Sequence, residues 1–198
     1  QRDERLGWTG DAQVFSRTAT FNMNVNDFFA KWLRDVAADQ GSNGAVPWVI
    51  PNCIGFLQSS TGWADVSTVV PWNMYLAYGD KRILQTQYPS MKAWVDYMQG
   101  QSKNDLWQTG QSFGDWLFYS IDDDTDGTSA ITDKYFIAQC FYAYSTQLLI
   151  NAAGALGKKD DADTYTALLK RIKDAFFKEY VTPNGRLVSG TQTAYKNG

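Results

Sequence analysis

The chain has 198 residues, of which 44% are hydrophobic and 20% charged, with a net charge of −3 and a pI near 4.9. This composition is typical of one soluble globular unit. The acidic balance argues against nucleic acid and anionic membranes as partners, because both attract clustered Lys and Arg. No apolar run approaches the roughly 20 residues that span a bilayer. The absence of histidine excludes His-based triads and His-ligated zinc sites, so catalysis has to use carboxylates or hydroxyls.

The sequence does not determine the cellular compartment of the protein. The sequence begins at Gln1 without an initiator Met, so we expect any targeting signal to be removed or to lie upstream, and the chain to be a piece of a longer protein. Cys53 and Cys140 are too few to diagnose a disulfide framework, and the sequence does not decide whether they are bonded. An extracellular or periplasmic location is slightly favoured over the cytoplasm.

Hydrophobic spacing predicts three helices in the first half of the chain. The first runs from about residue 10 to residue 22. The second has Asn26 as its N-cap and Gly41 as its stop, and its apolar stripe consists of Phe28, Phe29, Trp32, Leu33 and Val36. The third covers residues 65–78 and closes at Gly79.

Three more helices are predicted in the second half. Pro89 suits the first turn of the fourth, whose apolar residues are Met91, Trp94, Val95 and Met98. The fifth follows a TDK segment, is apolar on nearly every side over residues 135–149, and ends at Gly154 or Gly157. A helix that is apolar all round is enclosed by protein. The sixth, over residues 161–180, is amphipathic with one wet face and an acidic start.

Tightly buried helices therefore alternate with amphipathic ones along the chain. Three such hairpins, each with an inner and an outer helix, predict an all-α fold that forms about the first half of an (α/α)6 six-hairpin barrel. Residues 1–198 are then a single partial domain that supplies roughly half of the barrel, and the remaining hairpins are missing from the chain. A self-contained helical bundle is the alternative. Neither a Rossmann nor a P-loop pattern is present.

The opening stretch, QRDERLGWTGDAQ, places acidic, basic and aromatic side chains around two glycines. Glutamate is scarce, since only Glu4 and Glu179 occur among 21 acidic residues. Glycoside hydrolysis uses a carboxylic acid that protonates the leaving oxygen, and a Trp beside such an acid raises its pKa. Glu4, Trp8 and Asp11 share a face if the segment is helical. The two glycines make a loop at least as plausible as a helix. A charged N-terminal turn without a catalytic role accounts for the same residues.

QRDERLGWTGDAQ closely resembles the signature of the glycoside hydrolase family 78 α-L-rhamnosidases. Two further stretches fit the same family in the same order, GWADVSTVVPWNMYLAYGDKRILQTQYPSMKAWVDYM and SFGDWL, and the TDK helix start follows them. The resemblance runs from Gln1 to about Tyr195 and does not rest on a single common motif. It implies an (α/α)6 barrel and the inverting hydrolysis of terminal α-L-rhamnosides from glycans or glycosides.

The resemblance also implies roles for individual residues. The Glu of the DER segment is the general acid of the family, and it falls on Glu4. The side chains that line the rhamnose pocket in the family match Arg2, Trp8, Asp11, Trp63 and Trp116. Asp65 and Asp115 lie in the same motifs, and we expect them to support substrate binding.

The chain departs from the family at two points. The sugar-binding Asp that usually precedes the Gln of the motif is absent. The general base of the family is a Glu in the second half of the barrel, outside these residues, and Glu179 does not match its position. We therefore expect the parent protein to be the enzyme and the isolated chain to lack appreciable activity. The alternatives are a non-catalytic carbohydrate-binding αα-scaffold and an (α/α)6 glycosidase for a different sugar.

The expected partners are a rhamnose-containing carbohydrate and the rest of the barrel, and no cofactor is required. One candidate calcium site is the segment DDDTDGTSAITD, where Asp122, Asp124 and Asp126 followed by Gly127 reproduce the first half of an EF-hand loop. However, Asp133 stands where such a loop has a bidentate Glu. A solvated acidic turn ahead of a helix N-terminus accounts for the same sequence, and we prefer that interpretation.

The remaining tryptophans are assigned by their position in the pattern. Trp32 and Trp94 lie on helical stripes and are predicted to belong to the core. Trp48, Trp72 and Trp107 are left undecided, although Trp48 and Trp107 lie on connections of the kind that surround a barrel mouth.

Overall fold

The computed structural model describes residues 5–55, 59–116, 118 and 131–197. Over these ranges the fold is all-α, with isolated bridges such as Trp8–Val49 as its extended pairings. None of the described helices is both long and apolar enough to cross a membrane. The helices are α1 (Thr9–Asn22), α2 (Asn26–Asp39), α3 (Val66–Tyr78), α4 (Lys81–Gln101), α5 (Lys134–Leu156), α6 (Lys159–Tyr180) and the short α7 (Gln192–Asn197).

The six long helices form three consecutive hairpins in two layers. In the first layer α3 packs between α1 and α5. In the second layer α4 lies beside α2 and covers both α3 and α5, while α6 covers α5. The inner helices are therefore α1, α3 and α5, and the outer helices are α2, α4 and α6. This alternation confirms the predicted all-α architecture of about half an (α/α)6 barrel.

Burial follows the apolar pattern of each helix. α3 buries all of Val66–Pro71 and also Met74, and α5 buries residues along its length from Phe136 to Ala153. The outer helices α2 and α6 each bury one stripe and present polar residues to solvent. The prediction that the fifth helix is enclosed is confirmed for most of its length, although Tyr135 and Tyr144 stay exposed.

The start of α4 differs from the prediction. Asp80 caps this helix, because its carboxylate accepts a hydrogen bond of 2.9 Å from the backbone N–H of Arg82. The helix therefore begins at Lys81, two turns earlier than predicted. Pro89 lies inside α4 and not in its first turn. Because proline has no backbone N–H, α4 lacks one hydrogen bond at this position, but the helix continues.

The start of α2 also differs from the prediction. Asn26 is the first residue of the helix, and Val25 occupies the N-cap position with no side-chain cap. The backbone N–H of Val25 donates a hydrogen bond of 2.9 Å to the Tyr78 hydroxyl at the end of α3. A contact between hairpins, and not a local cap, therefore supports the chain where α2 begins.

Two predicted helix ends are confirmed by the backbone. Gly79 follows α3 with φ of 69°, and Gly157 follows α5 with φ of 73°. Both values lie in the left-handed region that glycine adopts without a steric penalty. Of the two glycines considered for the end of α5, Gly157 is the one that ends it, and Gly154 lies inside the helix.

Both cysteines are free thiols. Cys53 is exposed, whereas Cys140 is half-buried on α5. Burial raises the pKa of the Cys140 thiol to about 12, so this thiol is protonated at neutral pH and is a weak nucleophile.

Hydrogen bonds between α4 and α6 hold two neighbouring hairpins together at the outer surface. The Tyr165 hydroxyl donates to Asp96 at 2.5 Å and accepts from Lys92 Nζ at 2.8 Å. Lys92 also pairs with Asp96 at 2.7 Å. Further along the same helices, the Tyr88 hydroxyl donates to Asp161 at 2.8 Å. Because Tyr165 is only 3% exposed, these bonds to charged groups form at the edge of the core.

We predict that Tyr165→Phe lowers the free energy of unfolding by about 1–3 kcal/mol, because it removes a hydroxyl that bonds two charged groups. Urea unfolding of the two proteins measures the difference. The control is Lys170→Gln, which breaks an exposed i,i+4 pair with Asp174 on α6 and should cost less than about 0.5 kcal/mol. Equal losses in the two variants would contradict the prediction.

Candidate functional site

A cavity of about 860 Å³ lies where the N-terminal end of α1 meets the loops that contain Gly62 and Gly114. Four residues predicted to bind sugar line it together, namely Trp8, Asp11, Trp63 and Trp116. They come from three separate segments of the sequence. The other described lining residues are Gly7, Gly10, Ala12, Val14, Phe15, Phe28, Phe29, Trp32, Gly62, Gly114 and Phe141. Aromatic walls with few polar groups are typical of a small-molecule site.

Backbone contacts fix the segment that leads into α1. The Gly7 carbonyl accepts a hydrogen bond of 2.9 Å from the N–H of Ile50, and both the N–H and the hydroxyl of Thr9 donate to the Trp48 carbonyl, at 2.8 and 2.9 Å. A Cβ atom on Gly7 would lie 2.1 Å from the Ile50 carbonyl oxygen. Only glycine permits this approach, so the opening motif is anchored just before the helix.

This anchoring decides how the opening motif presents its side chains. Residues 5–7 are not helical, Trp8 occupies the N-cap position of α1, and Asp11 lies in the first turn. The loop interpretation is therefore confirmed for residues 5–7, the part of the stretch before α1 that the structure describes. An acidic residue in the first turn is favoured by the helix dipole. Asp11 is exposed and available to a ligand in the cavity.

Trp63 packs against α1 and against a cluster of aromatic rings. Its indole covers Gly10 so closely that a Cβ there would lie 2.8 Å from the ring. The Phe113 ring lies 4.6 Å from Trp63, 5.0 Å from Trp48 and 5.6 Å from Trp116 between centroids, in tilted or T-shaped contacts. Phe113 thus connects three tryptophans in geometries that aromatic pairs prefer. Trp116 keeps 48% of its surface exposed.

Asp65 does not line the cavity, because its side chain is fully buried at the start of α3. Its Oδ2 accepts a hydrogen bond of 2.6 Å from the Gly62 N–H. Its Oδ1 accepts from Trp94 Nε1 at 3.0 Å and from the Ser145 hydroxyl at 2.5 Å. Burial raises the pKa of Asp65 to about 6, and these hydrogen bonds oppose the shift. A supporting role, and not direct contact with a sugar, fits this placement.

Asp115 also lies beside the cavity lining and not within it. Its Oδ2 accepts hydrogen bonds from the N–H of Thr132, at 3.3 Å, and from the Thr132 hydroxyl, at 2.8 Å. That hydroxyl lies 2.5 Å from the hydroxyl of Thr191. Asp115 therefore ties the segment that carries Trp116 to the residues just before α5.

Five predicted site residues lie outside the described part of the chain: the general acid Glu4, Arg2, and the candidate calcium ligands Asp122, Asp124 and Asp126. Their roles stay predictions. Asp133, the last acidic residue of the candidate calcium loop, caps α5 by accepting a hydrogen bond of 2.8 Å from the N–H of Phe136. The described ranges contain no group of three or more acidic or cysteine side chains placed to hold a metal ion.

Comparison with known families decides the assignment of the fold. The family model described as the bacterial α-L-rhamnosidase six-hairpin glycosidase domain matches residues 1–196. The chain belongs to this family. The three hairpins of the described structure are consistent with part of a six-hairpin rhamnosidase domain.

Individual rhamnosidases are similar over nearly the whole chain. An α-L-rhamnosidase of Formosa agariphila is 41% identical over 198 residues, covering 98% of this chain and 21% of the relative. The crystal structure of the Streptomyces avermitilis α-L-rhamnosidase complexed with L-rhamnose is 39% identical with a TM-score of 0.85, covering 98% of this chain and 18% of that chain. The crystal structure of the native α-L-rhamnosidase from Aspergillus terreus is 36% identical with a TM-score of 0.89, covering 98% of this chain and 23% of that chain. The chain thus spans about a fifth of these rhamnosidases.

Sequence reasoning missed three residues that shape this rhamnosidase-family site. Phe113 connects the tryptophans, Gly10 makes room for Trp63, and Gln13 donates a hydrogen bond of 3.2 Å to the Gly62 carbonyl. The SFGDWL motif contains Phe113, so an aromatic ring beside GDW was an available signal. No sequence signal pointed to Gly10 or Gln13, because the role of each depends on a partner about fifty residues away.

The structure also places the tryptophans that the sequence left undecided. Trp107 is buried in the core, where its ring lies 6.2 Å from Trp94, and Trp94 is buried as predicted. Trp48 is half-buried in the aromatic cluster beside the cavity. Trp72 is half-buried and packs against the core. Trp32, predicted to belong to the core, is half-buried: it packs against the core but also lines the cavity.

We predict that Gly10→Ala destabilises the protein by about 1–3 kcal/mol, because the added methyl group overlaps the Trp63 indole. The matched control is Gly154→Ala, since Gly154 is also helical but has open space around it. That substitution should stabilise the protein by about 0.5–1 kcal/mol through helix propensity. Thermal unfolding measures both changes, and a Gly10→Ala variant as stable as the control would be inconsistent with the packing of Trp63 on α1.

We also predict a pH-dependent contribution from Asp65. Its folded-state pKa, about 6, exceeds the ordinary value of 3.8, so its ionised form disfavours folding above about pH 6. Protonation should then stabilise the folded state as the pH falls through this window. Relative to Asp65→Asn, which cannot titrate, the unsubstituted protein should gain in melting temperature between about pH 7.5 and about pH 5. A constant difference across this range would contradict the prediction.

Proposed function

We propose that this chain is part of the catalytic domain of an α-L-rhamnosidase that hydrolyses terminal α-L-rhamnosides with inversion. The observation that carries the proposal is the meeting of Trp8, Asp11, Trp63 and Trp116 at one cavity. The relatives named α-L-rhamnosidase support it, as does the similar Streptomyces avermitilis structure complexed with L-rhamnose.

The cavity offers the chemistry that a deoxy sugar requires. Trp8, Trp63 and Trp116 supply flat apolar faces that suit the C–H faces and the methyl group of rhamnose. The Asp11 carboxylate is exposed in the first turn of α1 and can accept hydrogen bonds from sugar hydroxyls. We assign to Arg2 charge-assisted hydrogen bonds to the same sugar. Asp65 and Asp115 support the walls from behind.

Glu4 is proposed as the general acid. In the sequence Glu4 stands three residues before Gly7, whose backbone is bonded to Ile50 and which lines the cavity. In an inverting reaction the acid protonates the glycosidic oxygen while a second carboxylate activates water, and roughly 6.5–9.5 Å separates the two groups. We propose that this base and the other hairpins of the domain belong to a longer parent protein and lie outside these 198 residues. The short span of the chain along its relatives supports this proposal.

We predict that Glu4→Gln in the full-length protein lowers kcat on an unactivated α-L-rhamnoside by about 10²–10⁴-fold, because the amide cannot donate the required proton. The fold should stay intact, as judged by an unchanged melting temperature. Glu179→Gln is the matched control, since it changes the other glutamate, exposed on α6, and should leave the rate unchanged. Near-normal hydrolysis by Glu4→Gln would refute the assignment.

A panel of nitrophenyl glycosides tests the sugar class separately. The unsubstituted protein should hydrolyse the α-L-rhamnoside in preference to the other sugars, and proton NMR of the first product formed should show the inverted anomer. Preference for another sugar would assign the protein a different glycosidase specificity, whereas binding of rhamnose without turnover would leave a carbohydrate-binding scaffold.

A further inference from the structure

Buried side chains hold Gly62 on both sides, through the peptide group that precedes it and the one that follows it. Its N–H donates to Asp65 Oδ2 at 2.6 Å, and its carbonyl accepts from Gln13 Nε2 at 3.2 Å. Gly62 has φ of 82°, in the left-handed region that glycine adopts readily. The carbonyl that accepts from Gln13 belongs to the peptide group joining Gly62 to Trp63. The two contacts together therefore fix the backbone on both sides of Gly62, and with it the direction in which the Trp63 side chain leaves the backbone.

Close contacts on two sides restrict the position of the Trp63 indole. Its indole lies against Gly10 of α1 and against Phe113. A small rotation of the preceding peptide would drive the ring into α1 or withdraw it from the cavity wall. The contacts of Gly62 therefore control the shape of the wall that Trp63 forms.

The Asp65 carboxylate is in turn fixed from two other helices. Trp94 on α4 and Ser145 on α5 both donate to its Oδ1, and the Ser145 hydroxyl lies 2.8 Å from that of Thr68 on α3. Asp65 is fully buried and thus has no surface with which to touch a sugar. Its position is set by the core, and its effect reaches the cavity through Gly62.

We propose that Asp65 is a positioning residue of the sugar site, which holds Trp63 in the cavity wall through the Gly62 amide. The identity of the sugar rests on the proposed function. The positioning itself rests only on the contacts that join Asp65, Gly62 and Trp63.

The chemistry of the partners requires a carboxylate at this position. The Gly62 N–H and the Trp94 indole N–H can only donate hydrogen bonds, and they approach different oxygens of Asp65. An Asn side chain of the same shape would direct its amide NH₂ at one of these two donors. The single amide oxygen satisfies more donors on the side of Trp94 and Ser145 than on the side of Gly62. Asp65→Asn should therefore turn its NH₂ toward the Gly62 N–H and release that contact.

The first test is a double-mutant cycle in the full-length protein on an aryl α-L-rhamnoside. Trp63→Ala and Asp65→Asn should each raise KM about tenfold with kcat changed less than about threefold, because the wall binds substrate and transition state alike. The double variant should be no worse than Trp63→Ala within about twofold. Losses that multiply in the double variant would overturn the proposal. Asp161→Asn, which makes the same Asp-to-Asn change at the distant acceptor of the Tyr88 hydroxyl, should leave KM unchanged.

The second test does not depend on activity. In protein labelled with 5-fluorotryptophan, the ¹⁹F resonance of Trp63 is identified by its loss in Trp63→Phe. Asp65→Asn should shift this resonance, and Asp161→Asn should not. If the unsubstituted protein fails to hydrolyse the rhamnoside, the proposed function fails, and the resonance alone decides the positioning role.

Ser145→Ala provides a milder variant if Asp65→Asn does not fold. It removes one donor to the same carboxylate and leaves the Gly62 contact in place. It should shift the Trp63 resonance in the same direction by a smaller amount. An unshifted Trp63 resonance in the folded variant would overturn the proposal.

Discussion

The buried Asp65 carboxylate joins the loop before α3 to two other helices, α4 and α5. A buried charge needs hydrogen-bond donors, and here they come from the loop before α3, from α4 and from α5. The second and third hairpins must therefore assume one relative position for the carboxylate to be satisfied. The Gly62 peptide, held by the same carboxylate, transmits that position to the cavity wall, so the packing of the core and the shape of the site are coupled.

The cavity depends on close backbone approaches that only small residues allow. Gly7 lies against Ile50 and Gly10 lies under Trp63, at distances that leave no room for a Cβ atom. These approaches bring the opening motif, the GWAD segment and the SFGDWL segment together at the N-terminal end of α1. The aromatic walls then enclose a space that suits a sugar with an apolar face.

The sequence predicted the helices well where hydrophobic spacing and glycine ends agreed, as in α3 and α5, and less well where tertiary contacts set the boundary. Pro89 suggested a helix start, yet the Asp80 cap allowed α4 to begin two turns earlier. Asn26 suggested a cap, yet Tyr78 from another hairpin supports the chain at Val25 instead. Of the site, the motifs indicated Trp8, Asp11, Trp63 and Trp116. The contributions of Gly10 and Gln13 could not be read from the sequence, because each depends on a residue distant along the chain.

The sequence by itself determined the all-α class and the alternation of enclosed and amphipathic helices, because these properties are local and periodic. Only the tertiary structure decided that Asp65 lies behind the cavity while Asp11 faces it. Both residues are aspartates in recognisable motifs, so residue type alone does not distinguish their positions. What separates them is the set of donors that the folded chain brings to each, since three donors surround Asp65 in the core whereas Asp11 stays exposed beside the cavity.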